Sequence, residues 1–290
     1  MKNLRTTRVA IAGMMIAGIG LTSCQDDAED ISQADEIETE VSSTGIQADG
    51  ESELESVFEL VEDEMAILSE SLNGGRTEQR EHRILAECAT VSHDEDNSQV
   101  IIDFGEENCL GKDGLYRRGI IIVDYNGRKK EPGATRTVTL ENYHINDNLL
   151  TGTKAITNVT ETETVPEFNV IVTGASFTNR AGTVSWNSNR TISVISGVDT
   201  PRNPFDDKIS VTGTSAGTNK QGVAYTLTIT EPLIRITERG CGRTFIDGRV
   251  AYENENGLTW ILDYDPIGGQ PCDRVGAVTI GEKTFNITLR

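Results

Sequence analysis

Beyond about residue 84 the chain alternates apolar and polar positions with a period of two. Ile121, Val123 and Tyr125 alternate with Ile120, Ile122 and Asp124. Val223, Tyr225, Leu227 and Ile229 alternate with Ala224, Thr226, Thr228 and Thr230, and Phe285, Ile287 and Leu289 with Thr284, Asn286 and Thr288. Such a pattern puts one set of side chains on a core and the other toward water, and Thr, Val and Ile suit a pleated surface. Asp113-Gly114, Asn126-Gly127, Asp247-Gly248 and Asn256-Gly257 punctuate the runs as hairpin turns. About a dozen strands fit between 84 and 290, with no βαβ rhythm, so the expected class is mainly β with antiparallel pairing. The expected architecture is an antiparallel meander forming a curved sheet, an open barrel or a sandwich, with one N-terminal amphipathic helix.

The period changes before the strands. Leu54, Val57, Phe58, Val61, Met65, Leu68 and Leu72 recur at spacings of three and four, which predicts an amphipathic helix over 51–72. Glu51, Ser52, Glu53 and Glu55 suit the positive end of its dipole, and Asn73-Gly74-Gly75 stops it. The stripe packs either on the domain that follows or on a partner protein. Residues 24–50 are acidic and poor in large apolar side chains, so a disordered tether is expected there.

Lys2, Arg5 and Arg8 precede an apolar and glycine stretch from Val9 to Leu21, 13 residues long. That is short for a membrane span and suits the core of a signal peptide over 1–23. Leu21-Thr22-Ser23-Cys24 resembles a bacterial lipobox. The resemblance implies that the Cys24 thiol receives a diacylglycerol and becomes the mature N-terminus, so the membrane is the expected partner through an N-terminal lipid. Gln25-Asp26-Asp27-Ala28-Glu29-Asp30 is similar to the export tag of surface-displayed lipoproteins in Bacteroidota, which implies an outer-membrane location facing the cell exterior.

Charge is unevenly spread. Among the 290 residues Asp and Glu number 46 and Lys and Arg 26, a formal net charge of −20. Between Gln25 and Leu72 stand 17 acidic residues and no Lys or Arg; the remainder after Leu72 is nearly balanced. A nucleic-acid partner is not expected, because phosphate recognition needs a basic footprint. Five cysteines less Cys24 leave Cys88, Cys109, Cys241 and Cys272. An even number in an exported protein reads as two disulfides, and Cys88–Cys109 and Cys241–Cys272 each bracket an expected hairpin. Loops of about 20 and 30 residues would each contribute on the order of 3 kcal/mol. The cysteines lack CxxC spacing and neighbouring His, so no metal site and no cofactor are expected.

Catalytic chemistry is thinly represented. His82, His93 and His144 have no nucleophile elbow beside them, and no HExxH, P-loop or GxGxxG motif occurs. His93-Asp94-Glu95-Asp96-Asn97 offers hard oxygens for calcium but lacks the EF-hand glycine and distal Glu, so a hairpin turn is preferred. Asp206-Asp207 reads as another turn. Trp186 and Trp260 are the candidate ligand-binding residues, since an indole face can stack on a sugar ring; both sit on an apolar phase, where a core position is the plainer reading. No catalytic residue is assigned, and an enzyme is not expected.

Several segments together carry a wider resemblance: Cys88-Ala89-Thr90-Val91, Ile102-Asp103-Phe104-Gly105, Cys109, Arg117-Arg118-Gly119-Ile120-Ile121-Ile122, Trp186-Asn187-Ser188-Asn189-Arg190-Thr191, and Gly213-Thr214 with Gly217-Thr218-Asn219. With the tether and helix they resemble a group of uncharacterised Bacteroidota lipoproteins. The resemblance implies a lipid-anchored envelope protein and no particular activity. The expected role is non-catalytic binding or scaffolding; the alternatives are a glycan-binding or glycan-degrading surface component and an accessory subunit of an outer-membrane protein complex.

Overall fold

The structure is a computed structural model that describes residues 25–72 and 84–289, apart from 86, 162–164, 201–205, 237–240 and 242–244. The expected signal peptide, the lipidation residue Cys24, the Asn73-Gly74-Gly75 stop and His82 lie outside the described residues. The described residues before Ile37, 25–36, belong to one compact unit, and those from Ile37 onward form another. The helix α1 (Gln25–Leu72) begins in the first and continues into the second.

The second unit carries the strands β1 (Thr90–Asp94), β2 (Gln99–Asp103), the short β3 (Cys109–Leu110), β4 (Tyr116–Tyr125), β5 (Thr135–Ile145), β6 (Asn148–Asn158), β7 (Glu167–Asn179), β8 (Gly182–Ser196), β9 (Lys208–Thr218), β10 (Ala224–Ile236), β11 (Asp247–Asn254), β12 (Thr259–Asp263), β13 (Val275–Ile280) and β14 (Lys283–Thr288). All fourteen join one antiparallel sheet in chain order, save that β3 pairs with β4 off the main path. The sheet is a meander that does not close into a barrel, and it is not a sandwich. The period-two pattern holds: Ile121 and Val123 are fully buried on β4, and Tyr225 and Leu227 are buried on β10.

From Ile37 to Leu68 the helix is enclosed on almost every side, with only Glu38 and Glu59 exposed. Of the expected stripe, Leu54, Val57, Phe58, Val61 and Met65 are buried and Leu68 is half-buried, and Ser56, Leu60, Asp63 and Glu64 on other sides of the same turns are buried too. A flat sheet cannot do this to a helix. Glu55 meets Lys154 of β6 at 2.6 Å and Arg235 of β10 at 2.7 Å. Those strands are four places apart in the sheet, about 19 Å on the flat at about 4.8 Å per strand. The sheet therefore curls around α1 as a trough. The early turns of this stretch meet the β9–β10 and β11–β12 turns through Asn219 and Asn254, and the later ones meet Lys129 between β4 and β5. The helix thus lies lengthwise in the trough.

Two sequence expectations change. The stretch expected as a free tether is helical from Gln25, and from Ile37 it is part of the core. Its polar residues found partners rather than water: Glu40 accepts from Asn219 and Asn254, Trp260 donates to Thr44, and Gln221 donates to Thr39. Asp247-Gly248 is no turn but the start of β11. Gly248 has φ +108°, beside register shifts in β10, and a Cβ there would come 2.5 Å from the Pro232 carbonyl. It marks a bulge where two strands approach closely. The other three pairs lie between strands as expected, and β5 turns into β6 through Asn146 and Asp147, both with positive φ as a tight hairpin of this kind demands.

Gly50 lies inside α1 although glycine costs a helix about 1 kcal/mol relative to alanine. A Cβ there would stand 2.6 Å from Phe177 Cβ and 2.8 Å from Trp186 Cη2. The glycine lets the helix backbone rest on β7 and β8. Gly50→Ala is therefore expected to destabilise by about 1–3 kcal/mol through overpacking, against the gain in helix propensity. Urea unfolding checks this, with Gly45→Ala, where a Cβ meets nothing within 4 Å, as the comparison that should not destabilise.

Candidate functional site

The inward phase of several strands ends in a cation. On β8, Val184, Trp186, Ser188, Arg190 and Ile192 share one phase. Lys154 shares its phase with Ile156 on β6, Arg136 with Val138 on β5, and Arg235 with Leu233 on β10. Each of these cations points at α1. Arg190 forms a two-pronged pair with Glu51, at 2.6 and 3.0 Å. Lys154 and Arg235 share Glu55. Lys129, 2.9 Å away, and Arg136 share Glu62. The Phe58 ring fills the space between these groups, with Lys154 Nζ 4.8 Å and Lys129 Nζ 5.6 Å from its centroid. Arg117, fully buried, forks onto Asp113 at 2.6 and 2.8 Å and reaches Ser56 of α1.

These pairs set the protonation states. Burial alone would push the Glu55 carboxyl up; the charges of Arg235 and Lys154, and their hydrogen bonds, outweigh it and hold the group well below the usual carboxylate range. Glu62 is lowered in the same way, with Lys129 and Arg136 opposing its burial. Burial raises the Tyr264 phenol; Glu51 adds to the rise and Arg190 opposes it. Burial likewise raises Tyr143, which faces Arg117.

Beside Glu51 and Glu55 a cavity of about 80 Å³ opens between α1 and the trough. Charged side chains line it: Lys154, Arg190 and Arg235 with the two carboxylates. Apolar side chains lie among these charges: Val172 is the cross-strand partner of Lys154 and Ile209 that of Arg235, and Val211, Phe245 and Leu289 add to the same lining. Trp186 and Tyr264 border it.

The sequence candidates fall in different places. Trp186 is 1% exposed, lies beneath Gly50 and is among the residues that line the cavity. Trp260 is 3% exposed, stacks on Tyr252 at 5.0 Å and donates its indole N–H to Thr44 at 2.9 Å. It is a seat for the helix and has no face left for a sugar ring. The two disulfides join as expected, Cys88 to Cys109 and Cys241 to Cys272, with Cα atoms 5.8 and 4.9 Å apart. Residues 95–98 form the β1–β2 turn, closed by Asn97 donating to Asp94. His93 bonds the Tyr125 hydroxyl at 2.7 Å, and the His144 ring bonds the Asn142 carbonyl. Among the described residues no group of three or more His, Cys, Asp or Glu is placed to hold a metal ion. Sequence reasoning missed the five basic residues of the trough. For the four on strands, Arg136, Lys154, Arg190 and Arg235, the signal was a cation on the apolar phase, set against an acidic segment with no cation of its own; Lys129, between β4 and β5, carried none. No protein-family model, no curated protein and no solved structure matches the chain.

Replacing Glu55 with Gln leaves Lys154 and Arg235 buried against each other, and a loss of about 3–5 kcal/mol is expected by denaturant unfolding. Arg249, half-exposed on Glu231 and Asp263, serves as the contrast: Arg249→Ala should cost no more than about 1 kcal/mol. Acid should expose the same pairs. Glu55 and Glu62 have lowered pKa values in the fold, so their contribution is complete above the unfolded value near 4.3 and is lost as pH falls toward the folded values. Melting temperature should therefore decline with each step below about pH 5. Glu55→Gln should flatten that decline.

Proposed function

We propose that the protein is a lipid-anchored envelope protein, held at the outer membrane through Cys24, that acts by binding rather than by catalysis. The observation that carries the binding reading is the trough cavity, whose lining sets apolar side chains next to buried cations and carboxylates. Its carboxylates are poorly suited to acid–base work. Glu51 and Glu55 are each clamped by cations, and Glu55 holds no proton near neutral pH. A clamped carboxylate positions neighbours and selects charge. The extracytoplasmic reading draws support from the disulfides Cys88–Cys109 and Cys241–Cys272, since such bonds persist in oxidising compartments.

A separate role for the 51–72 helix as a docking peg for another protein has less support, because its stripe is already covered by the protein's own sheet. The anchor is tested by expressing wild type and Cys24→Ala in a bacterium that processes lipoproteins. Wild type is expected in the membrane fraction with an acyl mass on its N-terminal peptide, and the variant in the soluble fraction. An unmodified wild-type Cys24 in the soluble fraction would contradict the anchor.

A further inference from the structure

We propose that the trough cavity is a binding site for a small monocarboxylate with a short apolar tail, its carboxylate received by Arg235. The proposal rests on the binding reading above and names its ligand class. Among the described residues the lining holds three cations, Lys154, Arg190 and Arg235, and two carboxylates, Glu51 and Glu55. Among those residues one positive charge is left over, inside a chain whose net charge is −20. An uncompensated charge in a largely buried site is costly, and an anion relieves it.

The surplus can be located. Arg190 uses both terminal nitrogens on one carboxylate, Glu51, which matches it charge for charge, although its Nε, like that of Arg235, has no hydrogen-bond partner among the described residues. Glu55 is divided between two cations, Lys154 at 2.6 Å and Arg235 at 2.7 Å. Arg235 commits one terminal nitrogen to it, and its buried Nε has no partner among the described residues. A guanidinium with an uncommitted edge is matched by a planar carboxylate, which can take two parallel N–H bonds.

The rest of the ligand follows from shape and polarity. Beside the cations stand Val172, the cross-strand partner of Lys154, and Ile209, that of Arg235, with Val211, Phe245 and Leu289 in the same lining; their side chains offer only hydrocarbon surface. Inorganic anions would leave that surface facing water. The volume, about 80 Å³, would hold roughly five waters at about 15 Å³ each, room for a carboxyl and a short chain rather than a long lipid tail. Acids of about three or four carbons fit this description.

Calorimetric titration of the full-length protein in detergent, with sodium butanoate, tests the assignment. Saturable binding with Kd about 1 mM or tighter is expected, together with a rise in melting temperature. Butan-1-ol, which has the tail without the charge, and inorganic phosphate, which has charge without the tail, should each bind at least about tenfold more weakly. Arg235→Gln keeps the Glu55–Lys154 pair and should weaken butanoate by at least about tenfold. Val211→Phe, which fills the cavity and leaves every charge in place, should do the same; it decides the matter if the arginine variant does not fold. No saturable butanoate binding by folded wild type, equal binding of the alcohol or of phosphate, or undiminished binding by a folded variant overturns the assignment. A protein that is acylated and membrane-held yet binds no butanoate overturns this ligand class alone and leaves the anchor standing.

Discussion

A single carboxylate, Glu55, binds cations from two strands that are four places apart in the sheet, and that sharing ties the curl of the sheet to the position of the helix. Glu51 with Arg190 and Glu62 with Arg136 and Lys129 repeat the device before and after it along α1. Buried ion pairs are weak sources of net stability, because desolvation offsets the Coulomb gain. Their value here is positional. Leucines and valines would accept a helix slid by a turn or rolled on its axis, whereas carboxylates at 51, 55 and 62 must each find a cation at one place in the trough. The hydrophobic contacts of Val57, Leu60 and Val61 then contribute the bulk of the burial in the register the charges select.

An open meander of fourteen strands keeps two unpaired edges, β1 and β14. Without an occupant, its concave face would expose apolar residues of most of the strands. α1 is that occupant, so the fold is a sheet built around its own N-terminal segment. The disulfides act elsewhere: Cys88–Cys109 ties the approach to β1 onto β3, and Cys241–Cys272 joins the β10–β11 connection to the β12–β13 connection. Each fastens segments that lack a long ladder of their own. The cavity beside Glu51 and Glu55 is what remains where a single helix does not fill a trough wide enough to span β6 to β10.

Much of the sheet was legible in the sequence because period two is a local signal: β4, β10 and β14 sit where the alternation puts them, and both cysteine pairs bracket the segments they bridge. The helix was legible only where its partners are apolar, from Leu54 on. Before that only Ile37 and Ile46 are large apolar residues in the core, and the other buried side chains include Thr39, Glu40, Ser43, Thr44 and Gln47, whose hydrogen-bonding partners lie some 180 residues or more away for those that bond the sheet, as Glu40 does to Asn219 and Asn254. No local pattern distinguishes such a segment from a solvated one. The same holds for the site. Lys154, Arg190 and Arg235 read as surface charges until an acidic helix is laid against them. The uneven charge along the chain was visible throughout. Part of its meaning is a fit between one acidic element and the basic trough that receives it.

Hydrogen–deuterium exchange of the α1 amides between Ile37 and Leu68, followed by mass spectrometry, tests that fit most directly. Enclosure in the trough predicts protection comparable to that of central strands such as β7 and β8, lost together with theirs on global unfolding. Exchange of this segment at the rate of an unstructured peptide, while β7 and β8 stay protected, would contradict the account.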